Sequence, residues 1–184
     1  MERKEFLKAA CTFGICSCAG MSMLSSGNIF AAGSSNAEGE TDWRIGFMQK
    51  RFANLIKILD NVSDPVEKKK ILEDMGRGCA NESKDQYTKF IGNPEGMLEV
   101  IKSEWAENTE YDKEKNRVRI IGKKMESCFC PFVDSSLMPK EFCNCSMGYN
   151  KQMFETIFEK NVNVSIEESK LYGGERCSFI IDVI

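Results

Sequence analysis

Between Cys128 and Ser146 the chain reads CFCPFVDSSLMPKEFCNCS: two C-x-C pairs twelve residues apart, in 184 residues that hold nine cysteines and no histidine. In an extended segment residues i and i+2 face the same side, so each pair would present two sulfurs together. Two such segments joined by the loop from Pro131 to Phe142 could bring Cys128, Cys130, Cys143 and Cys145 to one point. Four thiolates suit zinc, and iron in a sulfur-ligated centre is the other metal this donor set allows. The usual zinc spacing is longer than C-x-C. Disulfides between the pairs and simple burial of the thiols therefore stand beside metal ligation as readings of the same residues.

The missing imidazole restricts mechanism further. A Cys-His dyad is excluded, so a reactive thiol would need a metal, a helix N-terminus or a neighbouring Lys or Arg. Arg77 near Cys79 and Arg176 beside Cys177 are the adjacent cations, and Cys79 is read as lying in a loop where such a neighbour counts most. A general base would be a carboxylate with a raised pKa or a metal-bound hydroxide. Asp134, Glu167 and Glu168 are nearest in sequence. The catalytic candidates are thus Cys79, Glu168 and Asp134. The metal candidates are Cys128, Cys130, Cys143 and Cys145, with Cys177 a weaker one.

These residues must be held by something. From Trp43 to Asp60, Phe47, Met48, Phe52, Leu55, Ile56 and Leu59 recur at helical spacing and predict an amphipathic helix with a wide buried stripe. Asp64-Pro65-Val66-Glu67 supplies an N-cap and a first-turn proline for a second helix, which Gly76 and Gly78 should stop after Met75, just before Cys79. Asn93-Pro94 opens a third, with Met97, Leu98, Ile101 and Trp105 on one face.

After Asn108 the pattern becomes extended, and DKEKN with Val118, Ile120 and Ile121 predicts a hairpin. Ser146 or Asn150 would cap a helix carrying Met153, Phe154, Ile157 and Phe158, and a second hairpin turns at Gly173-Gly174. The sum is an α+β domain: N-terminal helices on an antiparallel sheet, with one helix between the thiol-rich segment and a C-terminal hairpin.

The chain has 42% apolar and 29% charged residues, and its length fits one domain. A net charge of −3 gives no basic footprint for nucleic acid. Internal repeats, a Gly-rich phosphate loop, a Ser-His-Asp set and a nucleotide fingerprint are all absent from the sequence.

Residues 1–32 have a cationic start, a weakly apolar middle too short to span a membrane, and a small-residue end, the layout of an export signal. Arg3-Lys4-Glu5-Phe6-Leu7-Lys8 resembles the twin-arginine signal, with Lys4 in place of the second arginine. Cleavage near Ala31 or Ala32 would release an exported, periplasmic protein and remove Cys11, Cys16 and Cys18. Ile15-Cys16-Ser17-Cys18 also resembles a lipoprotein processing site that would tether the chain through Cys18. An uncleaved cytoplasmic form is the third alternative. Residues 33–42 read as a flexible lead-in, and 43–184 as a single α+β domain.

The run from Cys128 to Ile184 resembles the L-2-amino-thiazoline-4-carboxylic acid hydrolase-like family. The likeness rests on Cys128-Phe129-Cys130-Pro131, Phe142-Cys143-Asn144-Cys145-Ser146, Met153-Phe154-Glu155, Glu168-Ser169, Gly174 and Cys177-Ser178-Phe179. The closing hairpin is similar to that of vinyl-reductase-type small-molecule-binding domains, in which a glutamate and cysteines around this turn hold zinc. There a further cysteine would stand where this chain has Ser169. The first resemblance implies a hydrolase opening a cyclic C–N/C–S substrate. The second implies a noncatalytic module for a small molecule, and the C-x-C pairs alone would serve a metal-handling or thiol-redox protein. The expected partners are a small-molecule substrate or ligand and the export machinery.

Overall fold

The computed structural model describes residues 43–184; the expectations placed on the export signal, on Cys11, Cys16 and Cys18, and on the lead-in 33–42 lie outside them. The order of elements is α1 (Trp43–Val62), α2 (Pro65–Glu82), α3 (Pro94–Glu104), β1 (Ala106–Asp112), β2 (Arg117–Gly122), α4 (Cys143–Phe158), β3 (Val162–Glu168) and β4 (Ser178–Val183). Among the described residues no helix is long and apolar enough to cross a membrane.

The sheet has the order β1-β2-β4-β3, and every neighbouring pair is antiparallel. This is the α+β arrangement that the pattern of the sequence predicts. Asn116 takes φ 50° at the turn of the first hairpin, a left-handed position that asparagine tolerates. β3 alternates strictly, burying Val162 and exposing Asn163, Ser165 and Glu167. On the exposed side Arg119 holds Glu167 by two hydrogen bonds of 2.9 Å, a fork that fits a carboxylate.

α4 is the central helix. Met153, Phe154 and Ile157 turn one side of it into a core with Ile101, Val118, Ile120, Phe179 and Ile181. The other side lies against α2. There Arg77 donates to Glu155 Oε2 at 2.7 Å and to Gln152 Oε1 at 2.9 Å. A second core joins Ala53 and Ile56 of α1, Leu72 of α2, and Val133, Met138 and Phe142 of the segment before α4.

α2 begins as its sequence predicts: Asp64 Oδ1 accepts from the amides of Val66 and Glu67 at 2.8 and 2.9 Å. It does not stop at Gly76 and Gly78 but continues to Glu82. A glycine costs a helix about 1 kcal/mol relative to alanine, a weak preference that packing overrides. At Gly76 that packing is the backbone of α4: an added Cβ would lie 1.9 Å from the Cys145 carbonyl oxygen. The predicted buried stripe of α1 is also narrower than expected, since Phe47, Met48 and Leu55 are exposed while Ile56 is buried.

Candidate functional site

The six cysteines of the described region are thiols, and four different pieces of structure carry them. Cys79 lies on the exposed side of α2 rather than in a loop, because the helix outruns its glycines. Cys128 and Cys130 sit in the irregular segment after β2 and pack at the edge of the second core. Cys143 and Cys145 occupy the first turn of α4, and Cys177 immediately precedes β4.

The start of α4 changes the geometry expected of the second C-x-C pair. The helix begins at Cys143, ahead of Ser146 and Asn150, so this pair is not extended. Residues two apart on a helix are about 200° apart around its axis, and the two sulfurs therefore leave on opposite sides. Cys143 is buried toward the hairpin, where its Sγ lies 3.0 Å from Ser169 Oγ. Cys145 turns toward α2, and its carbonyl faces Gly76.

The thiols accordingly fall into two neighbourhoods. On the hairpin side Cys128, Cys143 and Cys177 are close enough that a thiolate on Cys177 opposes ionisation of both others, and one on Cys128 opposes that of Cys143. On the α2 side Cys79 acts in the same way on Cys130 and Cys145, and Cys130 acts on Cys145. Cys130 also opposes ionisation of Cys128 and Cys143, which links the two neighbourhoods.

Burial is the main influence on four of these groups. It raises the thiols of Cys128 and Cys130 above the ordinary 9.0, that of Cys143 to about 11 and that of Cys145 to about 12. The Ser169 hydroxyl works against the rise at Cys143 but does not cancel it. At neutral pH these are protonated thiols with weak nucleophilicity.

A raised thiol value favours the neutral form in the folded chain, so its contribution to stability is complete below pH 9 and is lost as pH climbs toward 11 and 12. Both side chains retain some solvent screening, so the expected slope above pH 9 is discounted to on the order of 1 kcal/mol per pH unit. Urea midpoints measured across that range should fall, and Cys145→Ala should flatten the decline. A midpoint independent of pH between 9 and 11 would contradict it.

The carboxylate candidates are engaged elsewhere. Asp134 Oδ1 accepts from the Ser136 hydroxyl at 2.6 Å and its amide at 2.9 Å, and these bonds hold the carboxyl below its usual range. Glu168 Oε1 accepts from the amides of Glu175 and Arg176 at 2.6 and 3.2 Å and so closes the turn of the second hairpin. Glu167 is the partner of Arg119 on the outer face of the sheet. Arg77, the cation near Cys79 in sequence, pairs with Glu155.

Sequence reasoning marked Ser169 only as the place where a further cysteine would stand in a vinyl-reductase-type hairpin and gave it no role of its own; it is 2% exposed and also accepts from the Leu171 amide at 3.1 Å. Its burial beside Cys143 depends on contact between α4 and the hairpin, which no local pattern encodes. Among the described residues no three His, Cys, Asp or Glu side chains stand as a ready-made metal group. A cleft of about 270 Å³ between α1, α2 and the start of α4 is lined by Asp60, Ser63, Pro65, Lys68, Lys69, Glu141 and Asn144, without a cysteine.

A search of curated proteins finds no match. Among solved structures, a trafficking protein particle complex subunit 3 from Naegleria fowleri, covalently bound to palmitic acid, is 12% identical with a TM-score of 0.51, over 78% of this chain and 97% of that one. At that identity the likeness concerns the fold alone. The phenol-responsive sensory domain of the transcription activator PoxR with phenol is 10% identical at a TM-score of 0.46, over 73% of this chain and 74% of that one. A vinyl-4-reductase family protein from Methanocaldococcus jannaschii is 13% identical at 0.35, over 81% and 85%. Scores at those two levels are too low to establish a common fold. A family model does match, across residues 57–183, which takes in everything from the end of α1 to β4, and the chain therefore belongs to the family described as "Family of unknown function (DUF6144)".

Proposed function

We propose that this is a noncatalytic binding domain whose hairpin-side thiols, Cys128, Cys143 and Cys177, take up a soft metal ion such as zinc as thiolates. The observation that carries the reading is the junction at Cys143, whose Sγ lies 3.0 Å from Ser169 Oγ and so joins the start of α4 to the second hairpin that also carries Cys177, with the Cys128 segment packed at the edge of the adjoining core. An all-sulfur donor set selects soft or borderline ions. A thiol that burial keeps protonated is deprotonated outright by a coordinating cation. Binding would draw the segment carrying Cys128 closer to α4, since the three sulfurs are not a ready-made metal group as they stand.

Hydrolysis of a cyclic substrate, which the likeness to the thiazoline hydrolase-like family would add, needs a base or an activated nucleophile. Asp134 and Glu168 are committed to a turn and a hairpin, and the buried thiols are protonated. Ligation therefore ranks ahead of catalysis.

Titration of the reduced full chain with cobalt(II) tests the proposal. One equivalent should produce a thiolate-to-cobalt absorption band that zinc removes. Cys128→Ser, Cys143→Ser and Cys177→Ser should each lose at least about tenfold in affinity, whereas Cys79→Ser and Cys145→Ser should keep it. Absence of the band in fully reduced protein would overturn the reading, as would equal losses in Cys79→Ser and Cys145→Ser.

A further inference from the structure

α1 is apolar on two sides, and the fold uses one of them. Ala53 and Ile56 are buried in the second core, Phe52 rests on Phe132 and Phe142 with ring centroids 5.4 Å apart in each case, and Gln49 donates to the Pro131 carbonyl at 2.9 Å. Those contacts dock the inner side. The outer side carries Trp43, Phe47, Met48, Leu55, Ile58 and Val62, exposed by 73, 52, 53, 51, 54 and 69%. A helix with apolar residues around most of its circumference ordinarily has partners on both sides.

We propose that this outer face of α1 is the two-fold interface of a homodimer. Three features select a second copy of the chain. The first is area: six large side chains exposed by half or more leave on the order of 700 Å² of largely apolar surface, above the roughly 300–600 Å² of the largest patch on an ordinary monomer and near the ~800 Å² each partner gives a standard interface.

The second is spacing. Met48, Leu55, Ile58 and Val62 follow the alternating three- and four-residue steps of a helix–helix seam, with Arg51 at the intervening step. Arg51 lies over the Phe47 ring, its guanidinium carbon 5.8 Å from the centroid, so its stem runs along the stripe.

The third is self-complementarity. Met48 and Val62 lie seven residues either side of Leu55. A two-fold axis at Leu55, with the helices antiparallel, brings the two Leu55 side chains together and sets Met48 against Val62 of the other copy, so every seam position meets an apolar partner or the stem of Arg51. The same register carries Trp43 past the end of the other α1 toward Val66, which is 79% exposed in the first turn of α2. An interface between identical copies requires this matching of one patch with itself. The inference is independent of the metal reading, because none of its residues is a cysteine.

Sedimentation equilibrium of the full chain under reducing conditions, at tens of micromolar, gives the test. The expected result is a dimer mass for the wild type and a monomer mass for Leu55→Glu, whose dissociation constant should rise at least about a hundredfold with unchanged circular dichroism. Should Leu55→Glu lose its fold, Ile58→Lys supplies the same comparison. A monomeric wild type would overturn the proposal. So would a dimer that persists in both variants, or a monomer that pellets with phosphatidylcholine–phosphatidylglycerol vesicles, since a lipid surface and not a second copy would then cover the stripe.

Discussion

Gly148→Ala is expected to destabilise the fold by roughly 3–5 kcal/mol, more than most single substitutions in a domain of this size. A Cβ on Gly148 would lie 1.9 Å from the Glu73 carbonyl oxygen and 2.6 Å from its carbonyl carbon. Backbone atoms cannot rotate away as a side chain can, so α2 and α4 would have to part by more than about 1 Å, with loss of packing along the whole pair. The gain in helix propensity, about 1 kcal/mol, opposes this and is too small to win.

Gly76→Ala should behave alike, because the close approach is reciprocal and its Cβ would lie 1.9 Å from the Cys145 carbonyl oxygen. Gly78 is the internal control. It sits on the same helix with nothing within 4 Å of an added Cβ, so Gly78→Ala should stabilise by up to about 1 kcal/mol. Urea midpoints of the three variants would separate the cases. Equal and small effects at all three positions would show that the helices are not in backbone contact.

The second large effect concerns the opposite side of the same helix. Phe154 is fully buried, stacked on Phe158 at a centroid distance of 6.1 Å, in the core that α4 shares with the sheet. Phe154→Ala should cost about 3–5 kcal/mol through lost transfer energy and the cavity left behind. The midpoint of urea denaturation should fall without a change in slope, which would mean a weaker native state rather than a different one. A loss below about 1 kcal/mol would mean that the core collapses around the gap. Together the two substitutions test whether α4 is clamped from both sides, the arrangement that points Cys143 at the hairpin and Cys145 at α2.

Much of this architecture could be read from local pattern. The cap at Asp64, the proline after it, the Asn93-Pro94 start, the polar turn before Arg117 and the alternation of β3 each act within a few residues, and each element formed where its signals lie. The likeness to the hydrolase-like family rests on sequence motifs alone, and the family that matches across residues 57–183 is the one of unknown function. The concentration of thiols around Cys128–Cys145 was equally legible, together with the exclusion of any mechanism that needs an imidazole.

What the local pattern could not carry was decided where elements meet. Gly76 and Gly78 read as a stop because propensity is a local quantity, whereas contact with α4 at Gly76 keeps the helix going to Glu82 and places Cys79 on it. The stripe of α1 read as core because periodicity reports that a face is apolar and says nothing of what covers it. The spacing of Cys143 and Cys145 placed their sulfurs together only for a strand; beginning α4 at Cys143 sent them to opposite sides and brought Ser169 and Cys177 to one of them. Residue types and short-range order were determined by the sequence alone, while the company each thiol keeps is a long-range property that exists only once α2, α4 and the second hairpin have packed.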